Sequence, residues 1–377
     1  MKIVTIIGAR PQFMKAAAVS RVLRREHQEL FVHTGQHYDS NMSDIFFEEL
    51  HIPKPDYQLR AGSGSHATQT ADMLVGVEDV LQKEKPDAVI VYGDTNSTLA
   101  GALAAAKLLI PVIHVEAGLR SYNKMMPEEQ NRVLTDHLSD FLFCPTDNAV
   151  EHLKKEGITQ NVYQVGDVMC DALLYYAKNM EQYGKDYFTG RLKGLYGSAS
   201  KLSQWYLVTI HRAENTDTIE KLREILSALE TLSAPVVFPV HPRIKPMVRE
   251  LARCKKYHHI FFTEPVGYLD MLFFTKNAIK VITDSGGLQK EAYILNTDCV
   301  TIRDQTEWIE TLEGNHNILC SPKQEDIVEK VCHTKISGTW KSEIYGDGHA
   351  AEKICAVLKH EGRKGVRNGD VFDCRNL

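Results

Sequence analysis

Lys2-Ile3-Val4-Thr5-Ile6-Ile7-Gly8-Ala9-Arg10-Pro11-Gln12-Phe13-Met14-Lys15 is the stretch that sets the fold class. Its first six residues form a short, apolar, β-branched run of the kind a buried strand uses. Gly8 supplies a tight turn, and Pro11 suits a first helical position, where its missing N–H has no intrahelical partner anyway. The Ala-rich segment that follows predicts a helix over 11–25. Strand, turn and helix in this order aim backbone N–H groups above the sheet, and Arg10 and Lys15 add positive charge there. The pattern predicts an anion site with phosphate as guest. Its alternative is an ordinary βα turn with two surface cations.

The chain has 377 residues, too many for one ordinary α/β sheet domain, so two domains are expected. At 43% hydrophobic and 25% charged it has the balance of a globular protein. No apolar run reaches membrane-spanning length, and the first residues lack the basic–apolar–small order of a signal peptide. A cytoplasmic protein without a membrane partner is expected. Forty-four Lys and Arg against 49 Asp and Glu leave a net charge of −5, which argues against a general nucleic-acid surface. The eight cysteines form no CxxC pair and no zinc spacing, and Cys144 and Cys299 sit inside apolar runs. They read as buried free thiols.

Outward from the first turn, strands are predicted at 2–7, 29–34, 88–92, 111–115 and 141–145. Helices are predicted at 11–25, 41–50, 67–83, 96–108, 128–139 and 147–155. Regular βα alternation implies a doubly wound parallel sheet. The pattern resets near Val162–Asp167, and a second series follows, with strands at 205–210, 236–240, 259–262, 279–283 and 298–302. A helix is predicted at 168–181, and the polar, Gly-rich stretch 183–203 reads as a surface loop. The expected domains are 1–166 and 167–347, with a last helix at 348–359 and a polar, irregular tail over 362–377. Two such halves are expected to hold a ligand where the carboxyl ends of their strands meet.

The strand ends carry the chemistry. Asp94 follows a strand and precedes a helix in Val91-Tyr92-Gly93-Asp94-Thr95-Asn96, where it is either a proton-transfer group or a helix cap. Glu116 ends the strand at 111–115; its structural alternative is an ion pair with Arg120. Glu128 and Glu129 open a helix after Pro127, where acids favour the macrodipole, and Arg132 lies four residues beyond Glu128. His211 and Arg212 end one strand of the second half, and His241 and Arg243 end another. Paired endings of this type point to anion binding beside a group that titrates near neutrality. Asp284-Ser285-Gly286-Gly287-Leu288-Gln289-Lys290-Glu291 reads as a second phosphate cradle, with Glu291 placed to clasp a ribose diol or to stand as an exposed helix charge. Phosphate cradles in both halves suit a nucleoside-diphosphate ligand, and the acids and histidine suit proton transfer at an attached sugar. The first turn lacks GxGxxG, so NAD is not expected.

With these motifs the chain resembles the non-hydrolysing UDP-N-acetylglucosamine 2-epimerases from residue 1 to about 359. The resemblance rests on Gly-Ala-Arg-Pro at 8–11, Thr-Gly-Gln-His at 34–37, Tyr-Gly-Asp-Thr at 92–95, His-Val-Glu-Ala-Gly-Leu-Arg at 114–120, Pro-Glu-Glu-Gln-Asn-Arg at 127–132, His-Arg-Ala-Glu-Asn at 211–215, Thr-Asp-Ser-Gly-Gly at 283–287 and Arg-Asp-Gln-Thr-Glu at 303–307. It implies a GT-B architecture of two Rossmann-like domains with the last helix returning to the first. It implies interconversion of UDP-GlcNAc and UDP-ManNAc through 2-acetamidoglucal, without metal or cofactor, by a cytoplasmic homodimer serving polysaccharide biosynthesis. Position by position, Asp94, Glu116, Glu128 and His211 match catalytic positions. Arg10, Lys15, Arg132, His241, Ser285, Gly286, Gly287 and Glu291 match substrate-binding positions, to which His37 and Arg212 are added from the same motifs.

After Glu307 the chain carries Trp308-Ile309 where the best-known UDP-GlcNAc members carry Arg-Pro. That form, with Ile52-Pro53-Lys54-Pro55-Asp56-Tyr57, resembles enzymes acting on UDP-2,3-diacetamido-2,3-dideoxyglucuronate. The same chemistry on that sugar is the alternative substrate reading. A GT-B glycosyltransferase using a UDP-sugar donor, and a non-catalytic UDP-sugar sensor, are the more distant ones.

Overall fold

The computed structural model describes residues 1–36, 52–62, 64–196, 202–254, 257–306, 308–337, 339–340 and 342–364. The helix expected at 41–50, His37 and the tail from 365 lie outside these residues. The chain divides into two compact units, one of Met1–Ala172 with the chain from Glu343 onward and one of Leu173–Ser342.

The first unit is built on β1 (Lys2–Ile7), β2 (Gln28–His33), β3 (Tyr57–Gln58), β4 (Ala88–Tyr92), β5 (Val112–Val115), β6 (Phe141–Cys144) and β7 (Val162–Gln164). They form one parallel sheet in the order β3-β2-β1-β4-β5-β6-β7. Val4, Ile6, Val89, Val91 and Val112 are fully buried with Val77, Val80 and Leu81 of the helix His66–Glu84. Both faces of such a sheet are covered by crossover helices, so its strands read as unbroken apolar runs. The helices His66–Glu84, Asn96–Lys107 and Pro127–Leu138 pack in turn on one another, and Arg10–Leu23 packs with the terminal helix Ala350–Lys364.

The second unit repeats the plan with β8 (Gly194–Tyr196), β9 (Tyr206–Thr209), β10 (Val236–Pro239), β11 (Ile260–Thr263), β12 (Val281–Thr283), β13 (Cys299–Ile302) and β14 (Asn317–Cys320). The sheet order is β14-β13-β12-β9-β10-β11-β8, parallel except for β8, which runs antiparallel on the edge beside β11. Val208, Ile225, Leu226, Phe238 and Val300 lie in its fully buried core. In each sheet the strand order reverses once, between β1 and β4 and between β9 and β12. Loops leaving those neighbouring strands diverge, which opens a crevice at their carboxyl ends.

One expectation is corrected. The stretch 183–203 is not a plain surface loop: it holds the helix Lys185–Gly190 and the edge strand β8. The cause is aromatic packing hidden in a polar sequence. Phe188 is 1% exposed and its ring stacks on Phe273 at 4.2 Å, while Tyr183 and Tyr187 stack at 4.6 Å. The strand Asn317–Cys320 and the short strands β3 and β7 are further elements that the local pattern does not announce. The last helix starts at Ala350 and continues to Lys364, beyond the expected 359.

Asp171 holds that terminal helix. Its two carboxylate oxygens accept the first helical N–H groups of Ala350 at 3.0 Å and Ala351 at 2.7 Å. Burial pushes the Asp171 carboxyl up to about 6; the two N–H bonds oppose the rise, and Glu352 and Asp167 add to it. A carboxyl with a folded pKa above its unfolded value of about 3.9 adds stability below that value and loses it as pH rises through about 6. The full effect is at most about 3 kcal/mol. Thermal melts of wild type and Asp171→Asn between pH 5 and 7.5 should therefore show wild type gaining on the variant as pH falls. A constant gap would contradict this.

Candidate active site

At the end of β1 the expected phosphate cradle is largely closed. The Gln12 side-chain oxygen accepts the N–H of Gly8 at 2.8 Å and of Ala9 at 3.0 Å. Its amide nitrogen donates to the Tyr92 carbonyl at 2.9 Å and to Thr98 Oγ1 at 3.0 Å. Gln12 thus stitches the β1 turn to the β4 turn and occupies N–H groups that a phosphate would use. A Cβ on residue 8 would lie 2.1 Å from both Ser97 Oγ and Thr34 Oγ1, so close packing alone demands glycine there. Arg10 opens the helix Arg10–Leu23.

The charges expected at the neighbouring strand ends do converge. Lys15 forms an ion pair with Glu116, and both side chains are nearly buried. Arg132 forms an ion pair with Asp94 and a second, at 3.1 Å, with Glu129. Asp94 is not the helix cap: Thr95 is, accepting the Thr98 N–H through Oγ1. Arg120 is not the partner of Glu116 either, because it takes Asp136 at 2.6 Å and Glu156 at 2.7 Å. Burial works against the Arg132 charge, but Asp94, Glu129 and Glu116 outweigh it and raise its pKa. Lys15, Asp94, Glu116, Glu129 and Arg132 therefore form one alternating cluster. Glu128 stands exposed on the first turn of Pro127–Leu138, while its neighbour Glu129 is buried. Burial opposes the Glu129 charge, yet the Ser121 and Tyr122 N–H groups, the Ser121 hydroxyl and Arg132 draw its carboxyl below the usual range.

Glu116 has φ +72°, a left-handed backbone that costs a non-glycine residue of order 1 kcal/mol and persists only when its surroundings dictate it. The surroundings are a buried frame that the sequence reading missed. Asp136, 1% exposed, accepts His114 Nδ1 at 2.7 Å, Arg120 Nη1 at 2.6 Å and the Gly118 N–H at 3.1 Å. His114 Nε2 donates to the Gly93 carbonyl at 2.8 Å. One carboxylate on the helix that carries Glu128 and Arg132 thus pins the turns that present Asp94 and Glu116. The spacing His114-x-Glu116-x-Gly118-x-Arg120 against Asp136 was the available signal, but it is legible only once β5 and that helix are adjacent.

In the second unit the cradle is open. Ser285 caps the helix Gly286–Ile294 by accepting the Leu288 N–H at 3.3 Å. The N–H groups of Gly286 and Gly287, first and second in the helix, have no partner among the described residues. A Cβ on residue 287 would meet only Ser285 Oγ, 3.9 Å away, so this glycine leaves space rather than filling it. Asp284, fully buried, accepts the N–H of His211 at 3.0 Å and of Arg212 at 2.9 Å, and the Asn215 side-chain amide at 3.2 Å. It also pairs with His211 Nδ1 at 3.1 Å. The rings of His211 and His241 lie 5.3 Å apart, and His241 Nδ1 accepts the Arg243 N–H at 3.2 Å. Glu291 is half-buried, and burial pushes its carboxyl up to about 7 against a small opposing pull from Lys290. It is not the exposed helix charge that was one reading of it.

The structure therefore gathers Lys15, Asp94, Glu116 and Arg132 in one unit, and His211, Arg212, His241, Ser285, Gly286 and Gly287 in the other, each group at its sheet's reversal point. His37 lies outside the described residues. Among the described residues no helix is long and apolar enough to cross a membrane.

A family model described as UDP-N-acetylglucosamine 2-epimerase matches residues 21–359. The chain is 48% identical to a UDP-N-acetylglucosamine 2-epimerase homolog of Methanococcus maripaludis, covering 96% of this chain and 100% of that one. It is 47% identical to the UDP-2,3-diacetamido-2,3-dideoxy-D-glucuronate 2-epimerase of Pseudomonas aeruginosa, covering 95% and 99%. A crystal structure of Methanocaldococcus jannaschii UDP-GlcNAc 2-epimerase in complex with UDP-GlcNAc and UDP superposes with a TM-score of 0.81 at 42% identity, covering 96% of this chain and 100% of that one.

Removing one member of a nearly buried ion pair strands the other charge, which typically costs on the order of 3 kcal/mol. Lys15→Met should lower the urea midpoint accordingly, and adding Glu116→Gln to it should recover part of the loss. Equal midpoints for wild type and Lys15→Met would show that the pair carries no weight.

Proposed function

The chain belongs to the UDP-N-acetylglucosamine 2-epimerase family, and from that premise we propose that it interconverts UDP-GlcNAc and UDP-ManNAc by eliminating and re-adding UDP. The observation that carries this reading is the contrast between the two sites. One offers open helix N–H groups at Gly286 and Gly287 beside His211, a receptor for an anion. The other offers carboxylates lodged among cations, equipment for moving a proton next to a negatively charged leaving group.

A carboxylate takes the C2 proton of the sugar. The C1–O bond breaks with its electron pair going to UDP, and a C1=C2 double bond forms, giving 2-acetamidoglucal. Return of a proton to the opposite face of C2 and re-addition of UDP at C1 give the epimer. Asp94, Glu116, Glu128 and His211 are the catalytic groups in this proposal. Ser285, Gly286, Gly287, Glu291, His241 and Arg212 hold the nucleotide, and Arg10, Lys15, His37 and Arg132 complete the substrate contacts. The assignment rests on the motif matches and on the clustering described above. Homodimerisation, a cytoplasmic location and a role in polysaccharide biosynthesis belong to the same proposal and rest on the family resemblance.

A second substrate is favoured by one specific feature. Trp308 replaces the Arg of the Arg-Pro pair of the best-known UDP-GlcNAc members, and the Lys290 ammonium sits 4.2 Å from its ring centre. The relative from Pseudomonas aeruginosa acts, by its name, on UDP-2,3-diacetamido-2,3-dideoxy-D-glucuronate.

Incubation with each sugar nucleotide in deuterated water should give the 2-epimer carrying deuterium at C2, read by NMR. Exchange with neither would sink the epimerase reading, and turnover only with an added acceptor would favour a glycosyltransferase. Glu116→Gln should lower turnover by roughly 10²–10⁴-fold while UDP affinity changes little; unimpaired turnover would remove Glu116 from the catalytic set.

A further inference from the structure

Among the described residues of the second unit, Asp284 is a carboxylate buried completely and engaged on every side. It directly follows β12 and precedes the Ser285-Gly286-Gly287 cradle, and it reaches the turn after the neighbouring β9. There it accepts two backbone N–H groups and the Asn215 amide, and its Oδ1 lies 3.1 Å from Nδ1 of the His211 ring. Asn215 is itself fixed, since its amide also donates to the Ile302 carbonyl at 3.0 Å. Thr209 Oγ1 and Thr283 Oγ1 share a 2.6 Å hydrogen bond, and the Ser285 N–H donates to Thr283 Oγ1 at 2.9 Å. The first bond ties the two strand ends to each other, and the second fixes the turn that carries Asp284.

We propose that Asp284 is the positioning residue of His211: it holds the ring in the Nδ1–H form and leaves Nε2 as the one ring atom that exchanges a proton with substrate. The physical basis is the acceptor-only character of an ionised carboxylate. The backbone and amide donors around Asp284, together with the ring itself, hold the carboxyl below the usual range although burial opposes them. An ionised Asp284 can only accept, so Nδ1 must donate, and the neutral ring carries its lone pair on Nε2. When Nε2 takes a proton, the resulting imidazolium sits against a buried negative charge that is already in place. The same residue sets the origin of the phosphate cradle, so ring and cradle are aligned by one side chain. This assignment rests on the epimerase reading only for the consequence at turnover; the state of the ring is independent of it.

The test begins without substrate. Long-range 1H–15N NMR of 15N-histidine-labelled protein at a pH where His211 is neutral should show the Nδ1–H form, its signals being assigned from His211→Gln. An Nε2–H ring in wild type would overturn the proposal whatever the protein catalyses. Asp284→Asn retains the shape but turns an amide N–H toward Nδ1, so it should flip the ring to Nε2–H. With both sugar nucleotides as substrates, kcat should fall on the order of 10²–10⁴-fold with KM changed less than about threefold. Loss of kcat with the Nδ1–H ring retained, or the flipped ring with native kcat, would each overturn the proposal. Should Asp284→Asn fail to fold, Asn215→Ala takes its place; it leaves the carboxylate intact and should keep the Nδ1–H form.

Discussion

All the chemistry in this protein depends on the parallel direction of its strands. A parallel sheet delivers every strand to the same edge, so each βα turn leaves from one rim. In the first unit this puts the turns after β1, β4 and β5 beside one another, and Lys15, Asp94 and Glu116 come with them. In the second unit it puts the turns after β9 and β12 side by side, and with them His211 and Asp284. One antiparallel replacement among these strands would send its turn to the far rim and scatter the set.

Burying charge near such a rim is costly, and the chain answers it locally each time. Lys15 is matched by Glu116, Arg132 by Asp94 and Glu129, Arg120 by Asp136 and Glu156. Asp284 and Glu129 are matched largely by backbone N–H groups, which form no separate ion and need no second buried side chain. Asp284 and Glu129, tied to backbone, fix the shape of turns, as Asp136 does through Arg120 and the Gly118 N–H, whereas Glu116 and Asp94, each tied to a cation, can exchange partners with a ligand.

The two strand–turn–helix units at the sheet reversals look alike in sequence and differ in use. Gln12 folds back on the Gly8 and Ala9 N–H groups, so the first is tied into its own sheet. Ser285 folds back on Leu288 and leaves two glycine N–H groups open, so the second can receive an anion. A long amide side chain reaches N–H groups that a short hydroxyl at the cap does not, and that difference of chain length decides which turn is a receptor. It is also in keeping with the proposal that the second unit takes the nucleotide.

The sequence alone fixed the class of fold, because β-branched apolar runs alternating with helical segments leave few packings other than a parallel, doubly wound sheet. It also marked Asp94, Glu116, His211 and Ser285–Gly287, because a polar residue at the end of an apolar run has little structural reason to be there. Tertiary structure decided everything that depends on which side chain answers which. Glu116 pairs with Lys15, 101 residues away, rather than with Arg120 four residues on, and Arg132 prefers Glu129 and Asp94. The pairings of Asp136 and Asp284 carry no local signature, since their partners lie 16 to 73 residues distant in the chain. The helix and strand within 183–203 were hidden for the same reason: the stacking of Phe188 on Phe273 outweighs a polar local composition. Pairing energies of this kind arise only after strands are side by side, and no periodicity in one dimension encodes them.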